Sequence, residues 1–572
     1  MIYLGIAFLA AALCGVLVRS IVGSIIIGVI MGGLAYRELP VLAWNFSDLW
    51  LFAFITTCMS AFVAWDYRTN RYDARRGIIP FAALVAILCT GFVLIFVTSS
   101  PVFHDAERRN LISVKQGPHV DFVSGMELID PSKVRILDEA LARKRAEQLL
   151  GEVSGLASRV KLGTFALQHA EGKLQWVAPL EHVGFRAWMS NDTTPGYVKI
   201  NASNIDDAHL VREINGKPIA LRYLRSAFGR EWLDRHIYTN GYATVGVTDY
   251  NFEIDDRGNP FWVATRYIKR VGFSGEDATG VVIVDPQTGS MKDYDLTEIP
   301  TWVDRVHPAE FVENQINDWG EYVLGWWNAI WNKQDVMKAT PGIALVYSKD
   351  GNHSSWYSGM QSVHKDTGTM GFVLVDTRTK NAVFYSIAGI SEVGAKDAIR
   401  GAVSQMRGWS VTDPILYNVG GHATYIATLK DEGNNFKGIG IVSVSSSDVT
   451  VTGSNLADAL RKYETALANK GTGLITANTA QYVFEGKVVR INVETAQDNT
   501  YYYFTMDTVP NKSFSVAMVR NKEEILLTKV GDAIRVISDD TEPPSIRVVE
   551  FDNLGLKFEK TPPIGKRLDL AK

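Results

Sequence analysis

The sequence predicts an α+β protein with apolar helices at its N-terminus, repeated β-hairpins with helices between them, and a small β-barrel near its C-terminal end. Three observations carry this. The first 100 residues hold ten charges, against 110 in the other 472. Between residues 262 and 445 three segments share one plan: an aromatic-led strand, a polar turn, then a glycine-led apolar strand. From 481 to 558, short β-rich runs alternate with turn signals. These shifts divide the chain into 1–98, 99–240, 241–470 and 471–572.

Four apolar runs fill the first part: 2–18, 21–36, 49–65 and 79–97. A membrane span needs about 20 predominantly apolar residues. One helix over 2–36 would measure roughly 52 Å, far beyond the hydrocarbon core, so a tight hairpin of two spans is preferred to a single kinked helix. Met1-Ile2-Tyr3 has no basic residue, which argues against a cleaved signal peptide. The loop DYRTNRYDARRG carries four arginines and is expected on the cytoplasmic side. The expectation is therefore a multi-pass protein of the cell membrane, with residues 99–572 outside the cytoplasm and the bilayer as its first partner. Gly28 and Gly32 form a GxxxG pair, the kind that lets helices approach.

All three cysteines lie in the apolar part, which excludes a disulfide-stapled fold. The net charge of −4 leaves no electrostatic footprint for nucleic acid.

In the polar part, residues 100–130 read as irregular. Asp130-Pro131 then opens a helix that runs from 134 to about 150. Strand-like runs follow to 204, and 207–238 reads as mainly helical. The three hairpin segments come next, at 262–285, 356–376 and 425–445. Two of them continue in register: Gly280, Asp285, Thr288, Tyr294 and Ile299 match Gly371, Asp376, Thr379, Tyr385 and Ile390, all at an offset of 91. Between them, 311–331 has the spacing of an amphipathic helix with an aromatic stripe of Trp319, Trp326, Trp327 and Trp331. A helix followed by strands, with VxVDxxTG on the second strand, resembles PepSY-type modules; residues 282–289 carry the pattern fully and 373–380 lack its final glycine. That resemblance implies an extracytoplasmic, non-enzymatic module tied to protease inhibition or envelope regulation. The whole layout is similar to membrane-anchored proteins of bacteria and their phages, some labelled cell-shape-determining.

After a helix at 455–469, the runs YVFEGKVVRINVE, TYYYFTMD, FSVAMV, EILLT, AIRVIS and SIRVVEF suggest a barrel of the OB or SH3-like kind. Residues 481–560 hold ten basic and thirteen acidic side chains, which argues against oligonucleotide binding.

The search for chemistry is sparse. Asp366-Thr367-Gly368 matches the aspartic-protease triplet, but a second one is absent and the site reads as a hairpin turn. Ser274 in GFSGE fails the nucleophile-elbow pattern at Glu276. Asp255 to Asn259 read as a turn rather than a calcium loop. His353, His364 and His236 belong to no ligand motif, so no metal or cofactor is expected. The tryptophan stripe reads as core first and as a partner-binding face second. The leading expectation is a binding or scaffolding protein of the envelope that contacts other envelope proteins and is able to self-associate. The alternatives are an envelope hydrolase using Asp366 and a transporter subunit.

Overall fold

Four helices cover the four apolar runs: α1 (Ile2–Val18), α2 (Ile21–Glu38), α3 (Ser47–Arg71) and α4 (Ile78–Ser99). The computed structural model describes residues 2–18, 21–71, 78–115, 126, 128–347, 354–363, 368–469, 482–496, 499–517, 522–538, 545–548 and 550–556. Among these, only α2 is long and apolar enough to cross a membrane. A second candidate arises only if Val85–Ser99 and the next helix, α5 (Pro101–Arg109), count as one span bent by 42°. The apolar stretch of α1 covers Ile2–Cys14, which is short for a span. Helix α3 takes in Asp48 at its start and Asp66, Arg68 and Arg71 at its end. The expected four-span, multi-pass arrangement is thus corrected to one apolar helix of spanning length. Arg19 and residues 72–77, on which the expected orientation partly rested, lie outside the described residues.

Helices α1 and α2 pack tightly. A Cβ on Gly28 would lie 2.8 Å from the Ala7 carbonyl oxygen, and one on Gly32 would lie 2.9 Å from the Ala7 Cβ. The glycine pair is the contact face.

The chain divides into two compact units: Met1–Asn418 with Ala423–Leu456, and Val419–His422 with Ala457–Lys572. In the first unit, four antiparallel meanders follow one another. The first is β1 (Ala166–Ala170), β2 (Lys173–His182), β3 (Tyr197–Asn201) and β4 (Ala208–Val211). The second is β5 (Gly246–Ile254), β6 (Pro260–Val271), β7 (Ser274–Val284) and β8 (Met291–Asp295). The third is β9 (Ala344–Tyr347), β10 (Ser354–Ser362), β11 (Gly368–Asp376) and β12 (Ala382–Ile390). The fourth is β13 (Ile415–Val419), β14 (His422–Lys430), β15 (Phe436–Ser443) and β16 (Thr450–Gly453). Helices α6 (Glu139–Glu152), α7 (Ala309–Glu321) and α8 (Glu392–Ala402) precede the first, third and fourth meanders.

The same joint recurs in all four. A Cβ on Gly196, Gly280, Gly371 or Gly438 would overlap a carbonyl oxygen of the next strand, that of Val211, Tyr294, Tyr385 or Gly453. Only glycine lets these strands close. Six residues on, a carbonyl accepts the backbone of the segment that enters the meander. Ala202 accepts from Ile136 and Leu137, Pro286 from Arg222 and Tyr223, Thr377 from Val306 and His307, and Val444 from Ile390. In the first three, a tryptophan one strand earlier completes the joint. Trp176, Trp262 and Trp356 donate their indole N–H to the carbonyls of Leu137, Tyr223 and His307, at 2.9, 2.9 and 2.8 Å. In the fourth, the corresponding aromatic is Tyr425, buried like the tryptophans.

Three local expectations fail for physical reasons. Residues 207–238 are mostly not helical: Ala208–Val211 pairs with β3, and only Leu233–Ile237 is α-helix. Sheet pairing overrides helix propensity there. The helix expected over 311–331 ends at Glu321; Gly325 takes φ +85°, followed by a short turn at Gly325–Trp327 and a π-turn at Asn328–Asn332. Helix α5 forms where irregular chain was expected. Ser100 caps it, Pro101 starts it, and Arg108 and Arg109 face its negative end.

The second unit holds most of α9 (Leu456–Asn469) and six strands: β17 (Tyr482–Ala496), β18 (Asn499–Met506), β19 (Val509–Ala517), β20 (Ala533–Ser538), β21 (Ser545–Arg547) and β22 (Glu550–Asn553). Their order is β21-β19-β18-β17-β20-β22. The long β17 pairs its first half with β20 and its second with β18, which curls the sheet around Phe504, Phe514 and Val536. The segment EILLT, expected as strand, lies in helix α10 (Lys522–Leu527) and the turn after it. Pro510 and Asn511, expected at a turn, lie inside β19.

Candidate functional site

The residues singled out by sequence do not form one site. Asp366 and the histidines His353 and His364 lie outside the described residues. Asp285 and Asp376 shape turns. Asp285 Oδ1 accepts the Gln287 N–H at 2.8 Å, and Asp376 Oδ1 accepts those of Arg378 and Thr379 at 3.0 and 2.7 Å. Gly280 and Gly371 close strands against Tyr294 and Tyr385, as above. Ser274 donates to the Val271 carbonyl inside its hairpin, and Asp255 caps its own turn. Trp319 is buried against Phe384. Trp327 and Trp331 are 65% exposed and stack on each other at 4.8 Å, so the core expectation holds for Trp319 and fails for this pair. No group of three metal-ligating side chains occurs among the described residues.

A buried carboxylate pair, which no sequence motif marks, joins three meanders. Asp304 accepts hydrogen bonds from the His169 backbone at 3.0 Å and from the Ser354 backbone and hydroxyl at 3.1 and 2.6 Å. Its own N–H donates to Glu253 Oε2 at 3.1 Å. Glu253 is fully buried and its Oε1 has no partner. Burial, then the Asp304 charge, pushes the Glu253 carboxyl up to about 8. Asp304 is raised by burial too, but its donors favour its charged form, so Glu253 holds the proton at neutral pH. Neither cavity described next is lined by this pair. Its role is to hold structure.

Two cavities carry charged linings. One, of about 360 Å³, lies at the C-terminal end of α2 and is lined by Arg37, Trp232, Asp234, Tyr238 and Tyr250 among others. Its charges are matched: Arg37 pairs with Glu38, and Asp234 with Arg225.

The other, of about 270 Å³, lies where the first and fourth meanders meet. The seam is closed by a β-bridge from Leu128 to Asn418 and by the Thr428 hydroxyl donating to the Ile136 carbonyl at 2.5 Å. Three cations line the cleft: Arg135, Lys396 and Lys430, with Asp138 and Asp413 as the carboxylates. Lys430 pairs with Asp138, which also caps α6 by accepting the Leu141 N–H. Lys396 pairs with Asp413 at 2.7 Å. That leaves Arg135. Its guanidinium stacks over the Trp176 ring at 5.5 Å, and no carboxylate among the described residues pairs with it. Burial lowers its affinity for the proton, opposed by Tyr417, Asp138 and Asp413; a guanidinium nevertheless stays charged. The cleft therefore presents one uncompensated cation with a planar fork of donors. Nothing in the sequence marks Arg135, because the residues that neutralise its neighbours come more than 250 positions later.

No family model matches the chain, and no curated protein matches it. Two solved structures are similar in part. One, a complex of BT0996 with RGII, has 11% identity and a TM-score of 0.16, covering 64% of this chain and 91% of that one. The other, described as "Glycoside hydrolase", has 10% identity and a TM-score of 0.16, covering 66% and 94%. Likeness at that level carries no conclusion about fold or activity. The expected multi-pass PepSY-type scaffold is set aside, since one helix of spanning length replaces the four spans on which it was built.

Proposed function

We propose that this chain is an anchored ligand-binding protein that takes a small multivalent anion, a phosphate or polycarboxylate, in the Arg135 cleft. Helix α2 serves as the anchor. The single observation behind the binding role is the unpaired Arg135 guanidinium in a cleft whose other cations are matched. A planar guanidinium takes a carboxylate or phosphate through two parallel hydrogen bonds, and these charge-assisted bonds are the strong ones. Lys396 adds a second contact at little cost, because its partner Asp413 is 93% exposed and such pairs are weak. Lys430 stays with Asp138 and keeps the α6 cap in place. An anion so bound bridges the first and fourth meanders and ties their seam. The C-terminal unit we read as a small OB- or SH3-like barrel, supported by the double pairing of β17.

The test is calorimetric titration of the full chain in nanodiscs with inorganic phosphate and with citrate, in wild type, Arg135→Gln and Arg135→Lys. Saturable binding that Arg135→Gln abolishes and Arg135→Lys weakens supports the reading. Equal binding by wild type and Arg135→Gln, or no binding by wild type, overturns it.

A further inference from the structure

We infer that Trp327 and Trp331 form a membrane-interface contact, seating this face of the first unit in the headgroup region of a bilayer. The reading is independent of the Arg135 cleft. It starts from an exposed apolar face: Leu324, Trp327, Ile330 and Trp331 lie on one irregular turn and all remain exposed. Tryptophan stacked on tryptophan in water is an unusual surface for a soluble unit, and tryptophan is the side chain most enriched at the boundary between lipid and water.

What covers this face follows from where it is tied. Asp105 in α5 accepts the Trp326 N–H at 2.7 Å, which fixes the turn to α5. Arg108 pairs with Asp318 at 3.2 Å, and Arg109 donates to the Trp319 carbonyl at 3.2 Å, so α5 also holds α7. Helix α5 itself follows α4 after a single residue, Ser100, at a bend of 42°. An aromatic ladder crosses that bend. Phe92 stacks on Phe96 at 6.2 Å, and Phe96 meets Phe103 edge-on at 5.8 Å. Phe92, Phe96 and Phe103 are all exposed. The exposed apolar surface of α4 thus runs on to α5, against which the tryptophan turn is fixed. A second element reaches the same helix end. Ser99 Oγ accepts the Phe273 N–H at 2.8 Å, and Phe273 packs edge-on against exposed Trp44 at 6.0 Å. Two separate parts of the fold therefore place exposed aromatic rings where α4 gives way to the polar unit. A bilayer surface is the one partner that α4, the ladder and the tryptophan pair share.

The experiment uses the full chain reconstituted in vesicles of zwitterionic lipid, with and without bromine at shallow acyl positions. The fluorescence of Trp327→Phe/Trp331→Phe is subtracted from that of wild type, so that only these two rings are read. The expected result is a difference signal quenched more than twofold by brominated lipid and little affected by aqueous iodide. A difference signal quenched by iodide and insensitive to brominated lipid overturns the proposal. The circular dichroism melt of the double variant verifies that it folds. If it does not, Ile330→Trp in the wild-type background gives the added signal under the same two quenchers, with the same outcomes.

Discussion

Trp262 donates its indole N–H to the carbonyl of Tyr223 at 2.9 Å, across 39 residues of chain. Trp176 makes the same bond to Leu137 across the same separation. Each tryptophan locks the segment that enters its meander, and each accepting residue is itself held by the carbonyl six positions past the glycine. Replacing Trp262 by phenylalanine keeps most of the buried ring and removes the donor. The Tyr223 carbonyl is then left without that bond in a buried setting, which costs about 1–3 kcal/mol. Thermal unfolding of Trp262→Phe is expected to show this loss, and Trp176→Phe a similar one. An unchanged melting temperature for Trp262→Phe would show that the bond contributes nothing.

The glycines of the joint have a sharper expectation. At Gly280 an added methyl meets the Tyr294 carbonyl, which is fixed by pairing between β7 and β8. Neither backbone moves without breaking the ladder, so Gly280→Ala is expected to destabilise by about 3 kcal/mol or more, on the order of the worst overpacking cases. Gly151, inside α6, has nothing within 4 Å of where its Cβ would be. There Gly151→Ala is expected to stabilise by about 0.5–1 kcal/mol, the helix-propensity gain. Comparing the two variants by denaturant titration separates close approach from glycine removal in general.

The turns at Asp285 and Asp376 were legible in the sequence, because an aspartate that bonds the backbone two residues on acts locally. The first meander was not. Twenty residues separate Trp176 from Gly196, against eighteen, fifteen and thirteen in the other three, and Asn201 stands where Asp285 and Asp376 do. Its joint is visible only once the Ala202 carbonyl is seen beside Ile136 and Leu137. Glu253 was hidden for a related reason. In NFEID the alternation permits one face outward, but both faces of β5 are covered there, Glu253 by Asp304 from the segment that enters the third meander. The tryptophan stripe misled because helical spacing was extended through Gly325, where the chain turns with positive φ and sends Trp327 and Trp331 outward.

The raised Glu253 carboxyl fixes a sign for pH dependence. Below pH 4.5 the residue is protonated in both the folded and unfolded chain and contributes no slope. Between 4.5 and about 8 the unfolded chain releases this proton and the folded chain keeps it. Stability therefore falls as pH rises, by up to about 1.4 kcal/mol per pH unit from this group alone, and the slope ends above 8. Glu253→Gln has no proton to lose. Its melting temperature relative to wild type is expected to rise steadily from pH 5 to pH 8. A constant difference across that range would mean that Glu253 is ionised in the fold.

Arg235 clasps the end of α2. Its guanidinium lies 3.6 Å from the Tyr36 ring centre and 4.7 Å from that of Trp232. It donates to the Tyr36 hydroxyl at 2.8 Å, the Gly229 carbonyl at 2.9 Å and the Tyr36 carbonyl at 2.8 Å. Beside it, Tyr238 donates to the Pro40 carbonyl at 2.8 Å, which holds the chain just after the helix. A lysine at 235 keeps the charge and loses both the flat face between the rings and the fork that reaches Tyr36 twice. The expected cost is about 2 kcal/mol, concentrated at this contact rather than spread through the sheets. Hydrogen exchange read by mass spectrometry locates it: Arg235→Lys is expected to raise exchange in residues 36–42 and 229–238 and to leave β10 and β11 unchanged. Equal protection of 36–42 in variant and wild type would show that α2 is held by its apolar packing against α1, with Arg235 contributing only charge.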